Sequence, residues 1–231
     1  HAVDGVAIDI HRHETVALVG ESGCGKSVTS LSLLKLVSYP GEIVGGKVIY
    51  NGGDTPVDIT ALNDRDLMLR RTRGREIGII FQEPMTSMSA LHTIGSQLVE
   101  RVRVHESDVT KQQARERAIE LLHDVGLPNP RDLIDMHTFE LSGGMRQRAM
   151  IAMALVSYPS LLIADEPTTA LDVTVQAQIL ELIGRIKEDY NMSVLNVTHD
   201  LGVVSELADR VVVMYLGRIM EIAEVKELAA L

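Results

Sequence analysis

Tryptophan is missing from this sequence of 231 residues, aromatic residues make up 3% of it, and cysteine occurs once. With so few rings, the core has to be built from aliphatic side chains and methionine. A single thiol, Cys24, excludes an internal disulfide and with it the disulfide-stapled secreted scaffolds, and it suits a reducing cytosol. No apolar run approaches the ~20 residues of a membrane-spanning helix, and no stretch reads as a secretory signal. Excess positive charge is also lacking: the formal net charge is −10, which argues against nucleic acid as the main partner. Internal repeats and low-complexity linkers are absent too. At this length the chain allows one large domain or two small ones, with ample core.

What is present begins with Gly20 to Ser27, GESGCGKS. An apolar, β-branched run, Thr15 to Val19, precedes it, and VTSLSLLKLV, with helical spacing of apolar residues, follows. Strand, glycine-rich turn and helix is the context in which G-x-x-x-x-G-K-[ST] predicts a phosphate site. The backbone curls so that the amides of Gly20, Glu21, Ser22, Gly23, Cys24 and Gly25 surround an anion, and the helix start adds its positive dipole end. Lys26 is expected to reach the β- and γ-phosphates and the Ser27 hydroxyl to ligate Mg²⁺. Cys24 reads as a small residue tolerated in the loop rather than a reactive thiol.

Along the rest of the chain, the alternation Val3, Val6, Ile8, Ile10 predicts a half-buried strand, followed by a polar turn at His11 and His13 rather than a metal pair. KVIYNGG reads as a strand and turn, and Asp58 as the cap of a short helix ending in Arg70, Arg71, Arg73 and Arg75, a solvated basic turn. REIGIIFQ predicts a buried strand ending at Gln82. From 84 to 141 strand signals vanish and helices dominate, with Thr110 as an N-cap and Ile119, Leu121, Leu122 and Val125 as an apolar stripe. Strands return at SLLIADE, SVLNVTH and DRVVVMYLGRIME, separated by helices. The expected architecture is α/β, a P-loop NTPase core with a mostly parallel sheet, an N-terminal antiparallel β part and an inserted α-helical subdomain. Its expected boundaries are 1–83 and 142–231 for the core and 84–141 for the insertion.

Two further stretches carry chemistry. LLIADEP ends an apolar strand in two carboxylates, placed where ligands bind in open α/β sheets. Asp165 is expected to hold Mg²⁺ through water, and Glu166 to orient and deprotonate an attacking water. LSGGMRQR opens a helix with Ser142 as N-cap, a second anion-binding helix end in one chain. Met145, Met150 and Met153 read as packing residues of that helix.

GESGCGKS, Gln82, LSGGMRQR, LLIADEP, Leu171-Asp172 and His199, in that order, resemble the nucleotide-binding subunit of an ATP-binding-cassette transporter over essentially the whole chain. FQEPMTSMSALHTIG and LSGGMRQRAMIAMAL are most similar to the dipeptide, oligopeptide and nickel importers. The resemblance implies ATP and Mg²⁺ as ligands and a head-to-tail pair of ATPase subunits, identical or paralogous. In it, Ser142, Gly143 and Gly144 touch the partner's γ-phosphate and Asp172 sits at the seam. It also implies that Gln82 contacts Mg²⁺ and the attacking water, and that His199 bonds the γ-phosphate and positions Glu166. Two transmembrane permease subunits, an extracytoplasmic binding protein acting indirectly, and a peripheral place on the cytoplasmic face of the membrane follow from the same likeness. A soluble cassette ATPase working on nucleic acid and a non-hydrolysing regulatory subunit are the competing readings; the acidic balance and the intact Glu166 and His199 weigh against them. The family's adenine-stacking aromatic has no counterpart ahead of the phosphate loop, since the first aromatic residue is Tyr39. On this likeness the chain is expected to start inside the domain and to lack the longer tail of many peptide-importer subunits.

Overall fold

The computed structural model describes residues 1–53, 55–82, 87–106, 108–169 and 171–228. Its centre is a six-stranded sheet in the order β4-β5-β6-β1-β7-β8, formed by β1 (Thr15–Val19), β4 (Ile77–Ile80), β5 (Leu161–Asp165), β6 (Ser193–Thr198), β7 (Arg210–Tyr215) and β8 (Arg218–Glu224). The pairs from β4 through β7 are parallel, and β8 returns antiparallel to β7. Strands buried on both faces need apolar, β-branched sequence throughout, and β1 and β6 are buried at every position. A short antiparallel pair, β2 (Ile49–Tyr50) with β3 (Val57–Asp58), stands apart.

Register is what makes the sheet a platform. Val19 pairs with Thr198, Asp165 with Val197, and Ile80 with Ala164, so the carboxyl ends of four neighbouring parallel strands finish side by side. The chain leaves those ends as Gly20, Glu166, His199 and Phe81-Gln82, an arrangement that gathers residues as far apart as 20 and 199 on one edge.

Helix α1 (Lys26–Leu33) follows β1, and α2 (Leu67–Thr72) precedes β4. The predominantly helical stretch contains α3 (Ile94–His105), α4 (Lys111–Asp124) and the single turn α5 (Pro130–Leu133). Thr110 caps α4 in a capping box with Gln113, as its sequence indicated. These helices bury Leu98, Val102, Leu121, Leu122 and Ile134 against Met150, Ile151 and Leu155 of α6 (Gly143–Leu155), in one continuous core. α6 in turn lies hard against the sheet, where a Cβ on Gly78 of β4 would come within 2.5 Å of the Ala154 carbonyl. α7 (Val173–Asp189), α8 (Leu201–Leu207) and α9 (Val225–Leu228) complete the order. Residues 83–86, which include the expected start of the insertion at 84, lie outside the described residues.

Five sequence expectations need correction. Residues 3–10 form no strand: Val3, Val6, Ile8 and Ile10 do pack on the core, but Gly5 turns the backbone to φ 65, and Asp4 N donates to Gly217 O (2.8 Å) without a ladder continuing from it. Alternation recorded burial, not pairing. DRVVVMYLGRIME is a hairpin rather than one strand, because Leu216 (φ 44) and Gly217 (φ 78) make a tight left-handed turn. The strand expected to reach Gln82 stops at Ile80. Asp58 caps only a 3₁₀ turn, Ile59–Ala61, and the basic helix α2 has its own cap in Asp66. Within the basic run, Arg73 is not merely solvated: its guanidinium donates to the carbonyls of Leu34 (2.7 Å) and Lys35 (2.6 Å) at the end of α1.

Candidate functional site

The phosphate loop leaves β1 between two glycines, Gly20 and Gly25, with distinct jobs. A side chain on Gly20 would collide with the Met214 carbonyl at 2.2 Å, and Gly25, at φ 108, caps α1 in the left-handed region. That cap brings no side chain to the first-turn amides of α1, which stay available to an anion. Behind the loop, the β7–β8 turn braces it: Gly217 N donates to Cys24 O at 2.9 Å. Cys24 itself is buried.

Lys26 is 4% exposed, and its Nζ donates to the carbonyls of Gly20 (2.8 Å) and Glu21 (3.0 Å). The ammonium therefore arches over the loop mouth, held by two neutral acceptors that phosphate oxygens can replace with charge-assisted bonds. Ser27 Oγ donates to Asp165 Oδ1 at 3.1 Å, joining helix start to strand end across 138 residues. Asp165 also receives a long bond from the fully buried Ser30 (3.4 Å). Burial pushes the Asp165 carboxyl above the usual carboxylate range, and the neighbouring Glu166 adds to this, while the bonds from Ser27 and Ser30 and the charge of Lys26 oppose it. A buried carboxylate beside a hydroxyl, short of compensating charge, is a donor set that fits a hard divalent cation.

Glu166 leaves the strand in the left-handed region, φ 46, and its side chain is 14% exposed. One carboxylate oxygen, Oε2, accepts from Gln82 Nε2 (3.0 Å) and from Thr169 Oγ1 (3.0 Å); the other, Oε1, lies 3.3 Å from His199 Nδ1. His199 is mostly exposed. The structure thus brings Gln82, Asp165, Glu166, His199 and the phosphate loop together at one sheet edge. It leaves the other expected residues apart: among the described residues, no hydrogen bond joins Ser142, Gly143, Gly144 or Asp172 to the phosphate loop of the same chain. Ser142 Oγ caps α6 through Met145 N (3.4 Å), and Asp172 caps α7 through Val175 N (2.9 Å), both on exposed helix starts. Sequence reasoning missed Ser30 and Thr169. Each stands three residues after a recognised site residue, which on a helix or a tight turn is the same side, and that spacing was the available signal. No group of three or more His, Cys, Asp or Glu forms a metal cluster among the described residues.

A phosphate cradle at the end of a central parallel strand, with an acid pair on the neighbouring strand end, is the constitution of P-loop nucleoside triphosphatases. The particular family follows from likeness. The ABC transporter family model matches residues 3–169. An oligopeptide transport ATP-binding protein of Bacillus subtilis is 51% identical over 228 residues, covering 98% of this chain and 67% of that protein. A dipeptide transport ATP-binding protein of Escherichia coli is 45% identical over 220 residues, covering 95% of this chain and 65% of that protein. A solved ATP-binding cassette, a dimer in a post-hydrolysis state with ADP and Pi, matches with a TM-score of 0.83 at 26% identity, covering 97% of this chain and 90% of that one. The chain belongs to the ABC transporter family, as one of its ATP-binding, ATP-hydrolysing parts, and spans about two thirds of the length of these transport relatives. No helix among the described residues is long and apolar enough to cross a membrane.

Proposed function

We propose that this chain hydrolyses ATP to energise the import of peptides (dipeptides and oligopeptides) across the cytoplasmic membrane, bound peripherally on its cytoplasmic face. It works paired with a second ATP-binding subunit and with two permease subunits that an extracytoplasmic binding protein supplies. The relatives named for oligopeptide and dipeptide transport support the cargo, and the dimeric neighbour supports the pairing. Residues 84–141 are the helical insertion through which the permeases are reached.

The observation that carries the chemistry is the three-way hold on Glu166 at the strand end beside the phosphate loop. In this reading the carboxylate of Glu166 takes a proton from the water that attacks the γ-phosphorus, and the bond to the β–γ bridging oxygen breaks to release ADP and phosphate. Gln82 and Thr169 fix the carboxylate by donating to Oε2, which leaves Oε1 on the His199 side as the proton acceptor. Lys26 exchanges the carbonyls of Gly20 and Glu21 for phosphate oxygens, and His199 offers its other ring nitrogen to the γ-phosphate. Ser27, Gln82 and, through water, Asp165 would hold Mg²⁺, which when bound would neutralise phosphate charge. Ser142, Gly143, Gly144 and Asp172 act in trans: their exposed helix starts close over the nucleotide on the partner's phosphate loop.

The test pairs binding with turnover. Glu166→Gln is expected to keep the nucleotide affinity of the parent within a few fold and to lose about 10²-fold or more in kcat. Turnover at the parent rate would remove Glu166 from the role of base.

A further inference from the structure

We infer that Gln147 is the positioning residue that holds Glu166 in its working orientation; the inference rests on the reading of Glu166 as the base. Gln147 lies on α6, is 3% exposed, and its helix neighbours Ala149, Met150 and Ile151 are buried apolar side chains. A carboxamide at such a position is unfavourable unless its polar atoms are bonded. Its Nε2 donates to the carbonyl oxygen of Pro167, the residue immediately after Glu166. Pro167 is buried, so no solvent stands ready to replace that bond.

The turn that Gln147 grips is one that does not hold itself. Glu166 occupies the left-handed region, which a residue with a Cβ keeps only where its surroundings over-determine it. Glu166 N donates to Val197 O (2.9 Å), which ends the β5–β6 ladder, and Thr169 N donates to Glu166 O (3.1 Å), which closes the turn locally. The bond from Gln147 comes from a separate element and fixes the Pro167 peptide between those two. Without it, the buried carbonyl has to find another donor, and rotation of the turn to do so swings the Glu166 side chain away from Gln82 and His199. Methionine fills nearly the same space as glutamine but cannot donate, so Gln147→Met removes the bond while preserving the packing.

The test is a double-mutant cycle on the ATPase reaction of the whole chain, with binding and folding followed in parallel. Gln147→Met is expected to lower kcat about 10- to 100-fold, with ATP affinity within threefold of the parent and an unchanged circular dichroism spectrum. Placed on Glu166→Gln, whose slow turnover is read by single-turnover hydrolysis of labelled ATP, the same substitution is expected to change the residual rate less than twofold. A group that acts only through Glu166 has nothing left to act on there. Gln147→Asn, which keeps the polarity but falls one methylene short of Pro167, is expected to behave like Gln147→Met and serves if the latter does not fold. A kcat within twofold of the parent in the folded variant, or an equal loss in both backgrounds, overturns the inference. Parent-like turnover by Glu166→Gln itself would instead mark failure of the underlying assignment, so the two failures are told apart.

Discussion

Replacing Asp165 by asparagine is expected to make the nucleotide-free protein more stable while abolishing its turnover. The carboxylate is 5% exposed and is met by two hydroxyls, at 3.1 and 3.4 Å, while the nearby ammonium of Lys26 donates to Gly20 and Glu21 instead. Asparagine keeps the shape and an acceptor for Ser27 but sheds the desolvated charge. Removing a buried charge without a close counter-ion is worth about 1–2 kcal/mol. At roughly 2.1 cal/mol/K of unfolding entropy per residue, a chain of 231 residues has an unfolding entropy of about 0.5 kcal/mol/K, so the melting temperature should rise by about 2–4 °C at neutral pH. The pH dependence has a defined sign. A carboxyl whose folded pKa is raised binds its proton more tightly in the folded state, so the penalty in the parent is fully present above that raised pKa and vanishes as pH falls through the unfolded value, near 3.9. The advantage of the variant should therefore shrink steadily on acidification. Scanning calorimetry of both proteins between pH 8 and pH 4, without nucleotide, reads all of this. With ATP and Mg²⁺ added, the parent should gain stability and the variant little. A variant less stable than the parent at pH 7.5, or a difference independent of pH, would refute the argument.

Two other substitutions test the scaffold around the site. Gly217→Ala puts a Cβ at φ 78 and within 2.6 Å of the Ala2 carbonyl; a loss of about 2 kcal/mol and a fall of about 4 °C in melting temperature are expected, with weaker nucleotide binding because the turn braces Cys24. Tyr190→Phe removes the bond from the Tyr190 hydroxyl to Asp124 (2.7 Å), a phenol whose pKa burial and Asp124 both raise; urea unfolding should show a loss of about 1 kcal/mol, and ATP turnover should stay within twofold of the parent.

Much of the fold was legible because the strands advertise themselves. Val16 to Val19 and Leu161 to Ala164 are apolar runs of strand length, and Val194 to Val197 is interrupted by Asn196 alone; each is ended by a polar or glycine signal. Caps at Thr110 and Ser142 were readable for the same local reason. What stayed hidden depends on partners distant in sequence. Whether residues 3–10 pair is decided by what lies beside them, and Arg73 caps α1 across 38 and 39 residues. Leu216-Gly217 lacks the asparagine or aspartate that flags a tight hairpin, so the strand pattern runs through the turn without a break in the sequence. At the site, the motif residues were visible one by one, whereas the contacts that unite them, Gln82 and Thr169 on Glu166 and Ser30 on Asp165, exist only because parallel register aligns the strand ends.

In the proposed pairing one nucleotide site is built from two chains: a phosphate loop from one and the exposed start of α6 from the other. Light scattering on Glu166→Gln, with and without ATP and Mg²⁺, measures this most directly. On adding ATP the mass is expected to shift from one chain of 25.3 kDa to twice that, and the shift to be lost when Ser142 is replaced by a bulky residue. A mass that stays at one chain while the protein demonstrably holds ATP would contradict it.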